Sequence, residues 1–275
     1  MQIDEPHLTA NQQEFKLKAY WLESSGDFMT PVDYPVVIIC PGGGFQYHSA
    51  RESDPIALQF LAEGFHAIVL PYQLVTPKQT VYPTALHQLA RTIEWISEQA
   101  GKRPIDLERI ILTGFSAGGH VVATYNSVAT NPTLKEQYQL NQYRGEHAAI
   151  ILHYPVIDLD AGFPQTVADK NAITPDTTLW HAQQTLTKSA KPAFVWQTAT
   201  DATVPAINSL LYVTALYQLK IPTEYHLFSE GVHGLALANH VTQRPGKTHD
   251  LNAAVAQWFP LVVTWLKAQH LIQTH

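Results

Sequence analysis

The chain has 275 residues, 45% of them hydrophobic, and a formal net charge of −6. That length and composition suit one α/β domain, residues 1–275, with a sizeable core. The modest acidic balance, with no basic run anywhere, argues against a nucleic-acid surface, and no apolar stretch approaches the ~20 residues of a membrane span.

The polar, acidic opening MQIDEPHLTANQQEF lacks the basic and then apolar segments of a signal peptide. The single cysteine, Cys40, cannot pair within the chain and suits a reducing cytoplasm. Fourteen histidines are scattered without H-E-x-x-H or a Cys/His cluster, so neither a metal site nor any other cofactor is expected.

In chain order, residues 14–22 (EFKLKAYWL) alternate polar and apolar side chains, as a half-buried edge strand would. Val36 to Cys40 is an apolar run short enough for a strand buried on both faces. It ends in Pro41-Gly42-Gly43-Gly44-Phe45. A helix is predicted from about Pro55 to Glu63, stopping at Gly64, and a buried strand from His66 to Leu70. Residues 71–83 form a loop with three prolines. Leu86, Leu89, Ala90, Ile93, Ile96 and Ala100 recur at helical spacing before Gly101 and Pro104 end the pattern.

The stretch Arg109 to His120, RIILTGFSAGGH, reads as strand, glycine-flanked turn and helix with Ser116 at the tip, the layout of a nucleophile elbow. Side chains at Gly114 or Gly118 would collide where strand and helix come close. The bare G-x-S-x-G pattern matches by chance at about 3 × 10⁻⁴ per site, so roughly one chain of this length in ten carries it. Context therefore decides.

After a polar stretch at 131–147, a strand is predicted from Ala148 to Tyr154. Residues 158–191 lack periodicity and carry Gly162, Phe163, Pro164, Pro175 and Trp180, which favours a cap segment over a plain crossover. Further strands follow at Ala193–Thr198 and Tyr225–Phe228, with helices at about Ala206–Leu219 and Asn252–Lys267. Short apolar strands alternating with helices predict a mostly parallel sheet covered on both faces, with active groups beyond the strands' carboxyl ends.

A serine hydroxyl needs a base and a group to orient that base. In this topology both come later, in the order Ser, acid, His. Asp201 follows the strand ending at Thr198, and His233 follows the strand ending at Phe228 in the turn EGVHGL. Asp158 is the runner-up acid, and Asp201 could instead cap a helix. His240 and His249 are rival bases, and Glu230 is read as a solvated loop residue. The amide of Ala117, with bare amides of the three-glycine loop, would hold a developing oxyanion.

These segments, CPGGGF at 40–45, RESDPIALQFLAEGFHAIVLPYQ at 51–73, GFSAGGH at 114–120, PAFVWQTATDATVPAINSLLYVTAL at 192–216 and FSEGVHGLALA at 228–238, resemble the α/β-hydrolase superfamily. More closely they are similar to esterases of the acetylxylan, feruloyl and hormone-sensitive-lipase-like kind. The resemblance implies an α/β-hydrolase fold with Ser116 as nucleophile, His233 as base and Asp201 as acid. It also implies Gly43 and Gly44 as oxyanion donors, in a loop where Pro41 stands in place of a frequent histidine. Gln197 replaces an expected histidine without a functional account, and Arg51 with Glu52 is read as an ion pair holding the glycine loop.

The expectation is a cytoplasmic serine carboxylesterase acting on small, short-acyl esters of the acetyl type, acetylated sugars among them, through an acyl-enzyme. Its partner would be a small-molecule ester, with no nucleic acid and no membrane, and a homodimer stays open. Phe45, Tyr72, Tyr154 and Trp180 are candidate pocket walls, with core packing an equal reading. A serine aminopeptidase-like amide hydrolase and an inactive hydrolase scaffold that only binds remain the alternatives.

Overall fold

The computed structural model describes residues 1–23 and 33–272. Near the N-terminus the period-two stretch forms β1 (Gln2–Asp4), β2 (His7–Ala10), β3 (Gln13–Lys16) and β4 (Lys18–Trp21). The edge strand read at 14–22 is thus two strands, divided at Leu17, whose N–H turns to the Pro6 carbonyl. β2 and β3 form a separate hairpin, while β4 enters the main sheet. β4 is also interior rather than edge, because β1 pairs with its outer side, and this is why Tyr20 and Trp21 are both buried.

The alternating part follows: β5 (Tyr34–Cys40), α1 (Asp54–Ala62), β6 (His66–Val69), α2 (Thr84–Gln99), β7 (Ile105–Phe115), α3 (Ala117–Ala129) and α4 (Pro132–Gln137). Then come β8 (Ala149–His153), α5 (Val167–Ile173), β9 (Ala193–Thr198), α6 (Ile207–Gln218), β10 (Thr223–Phe228) and α7 (Trp258–Ala268). The eight-stranded sheet has the order β1-β4-β6-β5-β7-β8-β9-β10. All pairings from β6 to β10 are parallel, and β4 is antiparallel to both of its neighbours.

Side-chain alternation along β5 explains the two-sided core. Val36, Ile38 and Cys40 point into one apolar cluster with Leu89 and Ile93 of α2, Val121 of α3 and Tyr212 of α6. Val37 and Ile39 point into the other, with Ile56 and Phe60 of α1 and Trp258 and Val262 of α7. Such strands read as continuous apolar runs because both faces are covered. Burial pushes the Cys40 thiol far above its ordinary value, so it behaves as a small apolar side chain.

α7 begins later than its sequence pattern implies. The Asn252 side chain accepts the Val255 N–H, a short 3-10 turn covers Val255–Gln257, and the α-helix proper starts at Trp258. Within residues 158–191, α5 is tied back to the 71–83 loop by the Val81 N–H to the Ile173 carbonyl. Among the described residues no helix is long and apolar enough to cross a membrane.

The core placement has a direct test in equilibrium urea unfolding. Leu112 in β7 is fully buried, and Leu112→Ala should cost about 3 kcal/mol through lost burial and the cavity left behind. Leu58 on α1 is 51% exposed, and Leu58→Ala should change stability by less than about 0.5 kcal/mol. Equal losses would contradict the packing described.

Candidate active site

β7 ends at Phe115 and α3 begins at Ala117, which leaves Ser116 alone between them at φ 50° and ψ −116°. A non-glycine residue in this region is strained by roughly 1–3 kcal/mol and persists only when its surroundings hold it. Here they do. The Ser116 N–H donates to the His153 carbonyl at 3.0 Å, and the Ser116 carbonyl accepts the Val156 N–H at 3.0 Å and the His120 N–H at 3.3 Å. A Cβ on Gly118 would stand 2.1 Å from the Cys40 carbonyl oxygen, and one on Gly114 would stand 2.5 Å from the Gly118 oxygen. The glycines permit a backbone approach that no other residue allows.

His153 supports the same turn from below. Its ring stacks on Phe115 at 3.9 Å, its Nδ1 accepts the Trp196 indole N–H at 2.6 Å, and its Nε2 meets the Thr113 hydroxyl at 2.7 Å. Burial holds its pKa well below the ordinary histidine value, so the ring is neutral at physiological pH.

The structure brings Ser116, His233 and Asp201 into one hydrogen-bonded chain. The Ser116 Oγ lies 2.7 Å from His233 Nε2, and His233 Nδ1 lies 2.6 Å from Asp201 Oδ2. An ionised carboxylate only accepts, so Nδ1–H donates to Asp201, and Nε2 is left to accept from the serine hydroxyl. The other Asp201 oxygen accepts the Thr203 N–H at 2.9 Å and the Val204 N–H at 3.0 Å. Asp201 therefore closes its own loop, and α6 starts only at Ile207. Gln197 now has an account: its side-chain amide donates to the Val204 carbonyl at 2.9 Å and accepts the Thr198 N–H at 3.2 Å, bracing the loop that carries Asp201.

The rival residues lie elsewhere. Asp158 accepts from the Asp160 N–H and the Gln183 side-chain amide and pairs with His181 at 2.9 Å. His249 faces Asp250 at 3.7 Å, and His240 and Glu230 are exposed.

In the glycine loop the Gly42 N–H is already taken by Glu52 Oε2 at 2.9 Å. Gly43, at φ 132°, uses its carbonyl to accept the Gln46 and Tyr47 N–H groups. The N–H groups of Gly43, Gly44 and Ala117 have no acceptor among the described residues. Three bare amides thus belong to the two loops that meet at Ser116. Phe163, from the 158–191 segment, reaches over this loop: its Cζ is 3.6 Å from where a Cβ on Gly44 would sit.

The aromatic residues named from sequence are buried. Phe45 packs edge-on to His120, the Tyr72 hydroxyl donates to the Pro41 carbonyl at 2.9 Å, and the Trp180 indole N–H donates to the Thr174 carbonyl at 2.9 Å. The Tyr154 ring meets His233 at 5.1 Å. Each braces a loop. Sequence reasoning did not place Phe163 over the glycine loop, since one phenylalanine in an aperiodic segment carries no address.

Arg51 and Glu52 do not pair with each other among the described residues, contrary to the ion pair read from sequence. Neighbours on a short 3-10 turn point apart. Arg51 donates to the carbonyls of Gly234 and Thr242, and Glu52 turns inward to Gly42 and Tyr154.

Asp158, Asp160 and His181 place ligand-type atoms within 4.8 Å of one another. Their partners here are one another, Gln183 and Lys170, an ion-pair cluster within the 158–191 segment.

Comparison with known proteins agrees with this architecture. The BD-FAE family model matches residues 29–216. The structure of the carboxylesterase Cest-2923 from Lactobacillus plantarum WCFS1 is 57% identical, covers 100% of both chains and superimposes with a TM-score of 0.99. An acetyl ester-xyloside bifunctional hydrolase from Caldicellulosiruptor lactoaceticus is 29% identical with a TM-score of 0.76, over 94% of this chain and 89% of that one. Endo-1,4-beta-xylanase B of Butyrivibrio fibrisolvens is 30% identical over 208 residues, 74% of this chain, yet the match spans only 33% of that longer protein. Sheet order, elbow and these matches converge: the chain has the α/β-hydrolase fold and belongs to the BD-FAE family.

Proposed function

We propose that this chain is a serine carboxylesterase that cleaves small, short-acyl esters through an acyl-enzyme. The observation that carries the reading is the unbroken contact from Ser116 Oγ through His233 to Asp201, 2.7 Å and then 2.6 Å, beside three bare amides. His233 Nε2 takes the hydroxyl proton as Ser116 Oγ bonds to the ester carbonyl carbon, and Asp201 stabilises the imidazolium. The amides of Ala117, Gly43 and Gly44 hold the oxygen that becomes negative. As the tetrahedral intermediate collapses, the carbon–alkoxy bond breaks and His233 protonates the departing alcohol. Water, deprotonated by the same histidine, then releases the acid and restores Ser116. No step calls for a cofactor.

Residues 158–191 act in this reading as a cap on one domain spanning 1–275, and Phe163 over Gly44 is what limits acyl length. The names of the acetyl ester-xyloside hydrolase and of the xylanase support acetylated xylo-oligosaccharides as the substrate class to try first. A reducing compartment is proposed on the strength of the lone, buried Cys40.

With an aryl acetate, Ser116→Ala should lose about 10⁶-fold in kcat and Asp201→Asn about 10⁴-fold, since the parts act as a unit. Asp158→Asn should stay near wild type, and a loss there as large as that of Asp201→Asn would move the acid to Asp158. Gly43→Ala would drive its Cβ to 1.9 Å from the Tyr47 carbonyl oxygen, so kcat should fall about 10²–10³-fold, as for a lost oxyanion donor. Phe163→Ala should raise kcat/KM for hexanoyl esters relative to acetyl esters. An unchanged ratio would remove Phe163 from acyl selection. Faster turnover of amino-acid anilides than of aryl acetates by the wild-type protein would favour an amide hydrolase.

A further inference from the structure

Glu52 is 3% exposed, close to the nucleophile, and takes no part in the proton path. Burying a carboxylate is costly unless both oxygens are hydrogen-bonded, and here both are. Oε2 accepts the Gly42 N–H at 2.9 Å, and Oε1 accepts the Tyr154 hydroxyl at 2.6 Å. The Tyr154 oxygen in turn accepts the Ala236 N–H at 3.0 Å, three residues beyond His233.

The partners at the two ends of this relay belong to the two loops whose relative placement decides the chemistry. Gly42 is wedged between Glu52 and the nucleophile: a Cβ there would stand 2.6 Å from Glu52 Oε2 and 3.0 Å from Ser116 Cβ. With its amide held by Glu52, the next two amides, Gly43 and Gly44, stay free. At the other end the histidine turn is strained, with Ala236 at φ 51° and Ala238 at φ 55°. Such residues persist only where outside bonds fix them. The Glu52–Tyr154 relay supplies one such bond, and neighbouring Arg51 supplies another by donating to the Gly234 carbonyl at 2.7 Å. Tyr154 remains the donor at any physiological pH, because burial, reinforced by the Glu52 charge, pushes its hydroxyl well above the ordinary tyrosine value.

We propose that Glu52 is a positioning residue that, through Gly42 on one side and Tyr154 on the other, sets the oxyanion loop and the His233 turn in mutual register. It touches neither substrate nor Ser116 Oγ, and the inference rests on the esterase reading above. Loss of Glu52 frees Gly42, so Gly43 and Gly44 no longer converge with Ala117 on the tetrahedral oxygen. The deficit then falls on the transition state and not on substrate binding.

The test compares wild type, Glu52→Ala, Glu52→Gln and Tyr154→Phe, each checked for folding by near-UV circular dichroism. The readouts are kcat and KM with an aryl acetate, and affinity for a small boronic acid that forms a tetrahedral serine adduct. Glu52→Ala should lose about 10²-fold in kcat with KM little changed, and boronate affinity should fall by a similar factor. Glu52→Gln, whose amide oxygen still accepts the Gly42 N–H but whose NH2 cannot accept from the Tyr154 hydroxyl, should recover part of the rate. Tyr154→Phe should lie between. A folded Glu52→Ala with wild-type kcat and boronate affinity, or a loss confined to KM, overturns the proposal, as does Glu52→Gln falling as low as Glu52→Ala. If Glu52→Ala fails to fold, Tyr154→Phe decides, and wild-type kcat and affinity there overturn it. Ser116→Ala run alongside separates the two claims: turnover surviving in that variant defeats the esterase reading itself, whereas its loss beside an active Glu52→Ala defeats only the role of Glu52.

Discussion

At Gly118 the first turn of α3 presses against the carbonyls of Cys40 and Pro41, with room for hydrogen and nothing larger. That contact couples the end of β7 to the end of β5, and through it Ser116 to the glycine loop. The strained φ of Ser116 follows, because the chain must reverse from strand to helix without lifting away from β5. The bonds from Ser116 to His153, Val156 and His120 then stabilise a conformation that the residue would not adopt alone.

The parallel register carries the same constraint across the sheet. Cys40 lies opposite Gly114, Phe115 opposite His153, His153 opposite Trp196, and Thr198 opposite Phe228. Neighbouring strands therefore end at nearly one level, and the loops bearing Gly43, Ser116, Asp201 and His233 start side by side. Residues 117 positions apart in sequence, Ser116 and His233, meet at hydrogen-bond distance for this reason. Below the loops the supports are buried polar groups with their bonds satisfied: Gln197 under Asp201, His153 under Ser116, and Glu52 with Tyr154 between the glycine loop and the histidine turn. Such groups are costly in an apolar interior unless paired, so each also specifies one arrangement of its loop.

Much of this could be read from residues alone, and the reason is local. A run such as VVIIC has one use in a sheet covered on both faces, and Gly114, Gly118 and the glycine loop signal backbone contacts that a side chain would block. The positions of Asp201 and His233 followed from topology, since each comes just after a strand. What stayed hidden depended on pairing partners far away in sequence. The split of residues 14–22 turns on where Leu17 finds a carbonyl and on β1 covering β4, which alternation does not encode. Arg51 and Glu52 looked like a pair because opposite charges sit together, yet adjacent side chains on a tight turn diverge and find partners more than 90 residues away. The aromatic candidates Phe45, Tyr72, Tyr154 and Trp180 could not be divided into pocket and core by sequence, since a buried ring has the same composition in either place.

The proposed chemistry depends on one covalent event at Ser116. Rapid acid quench of the protein during turnover of an activated acetate ester, followed by peptide mass spectrometry, observes that event directly. An acetyl group is expected on the peptide containing Gly114–Gly119, located on Ser116, appearing before the acetate and decaying when ester is exhausted. Continued turnover with that serine unmodified, or with the acetyl group on another residue, would contradict that chemistry.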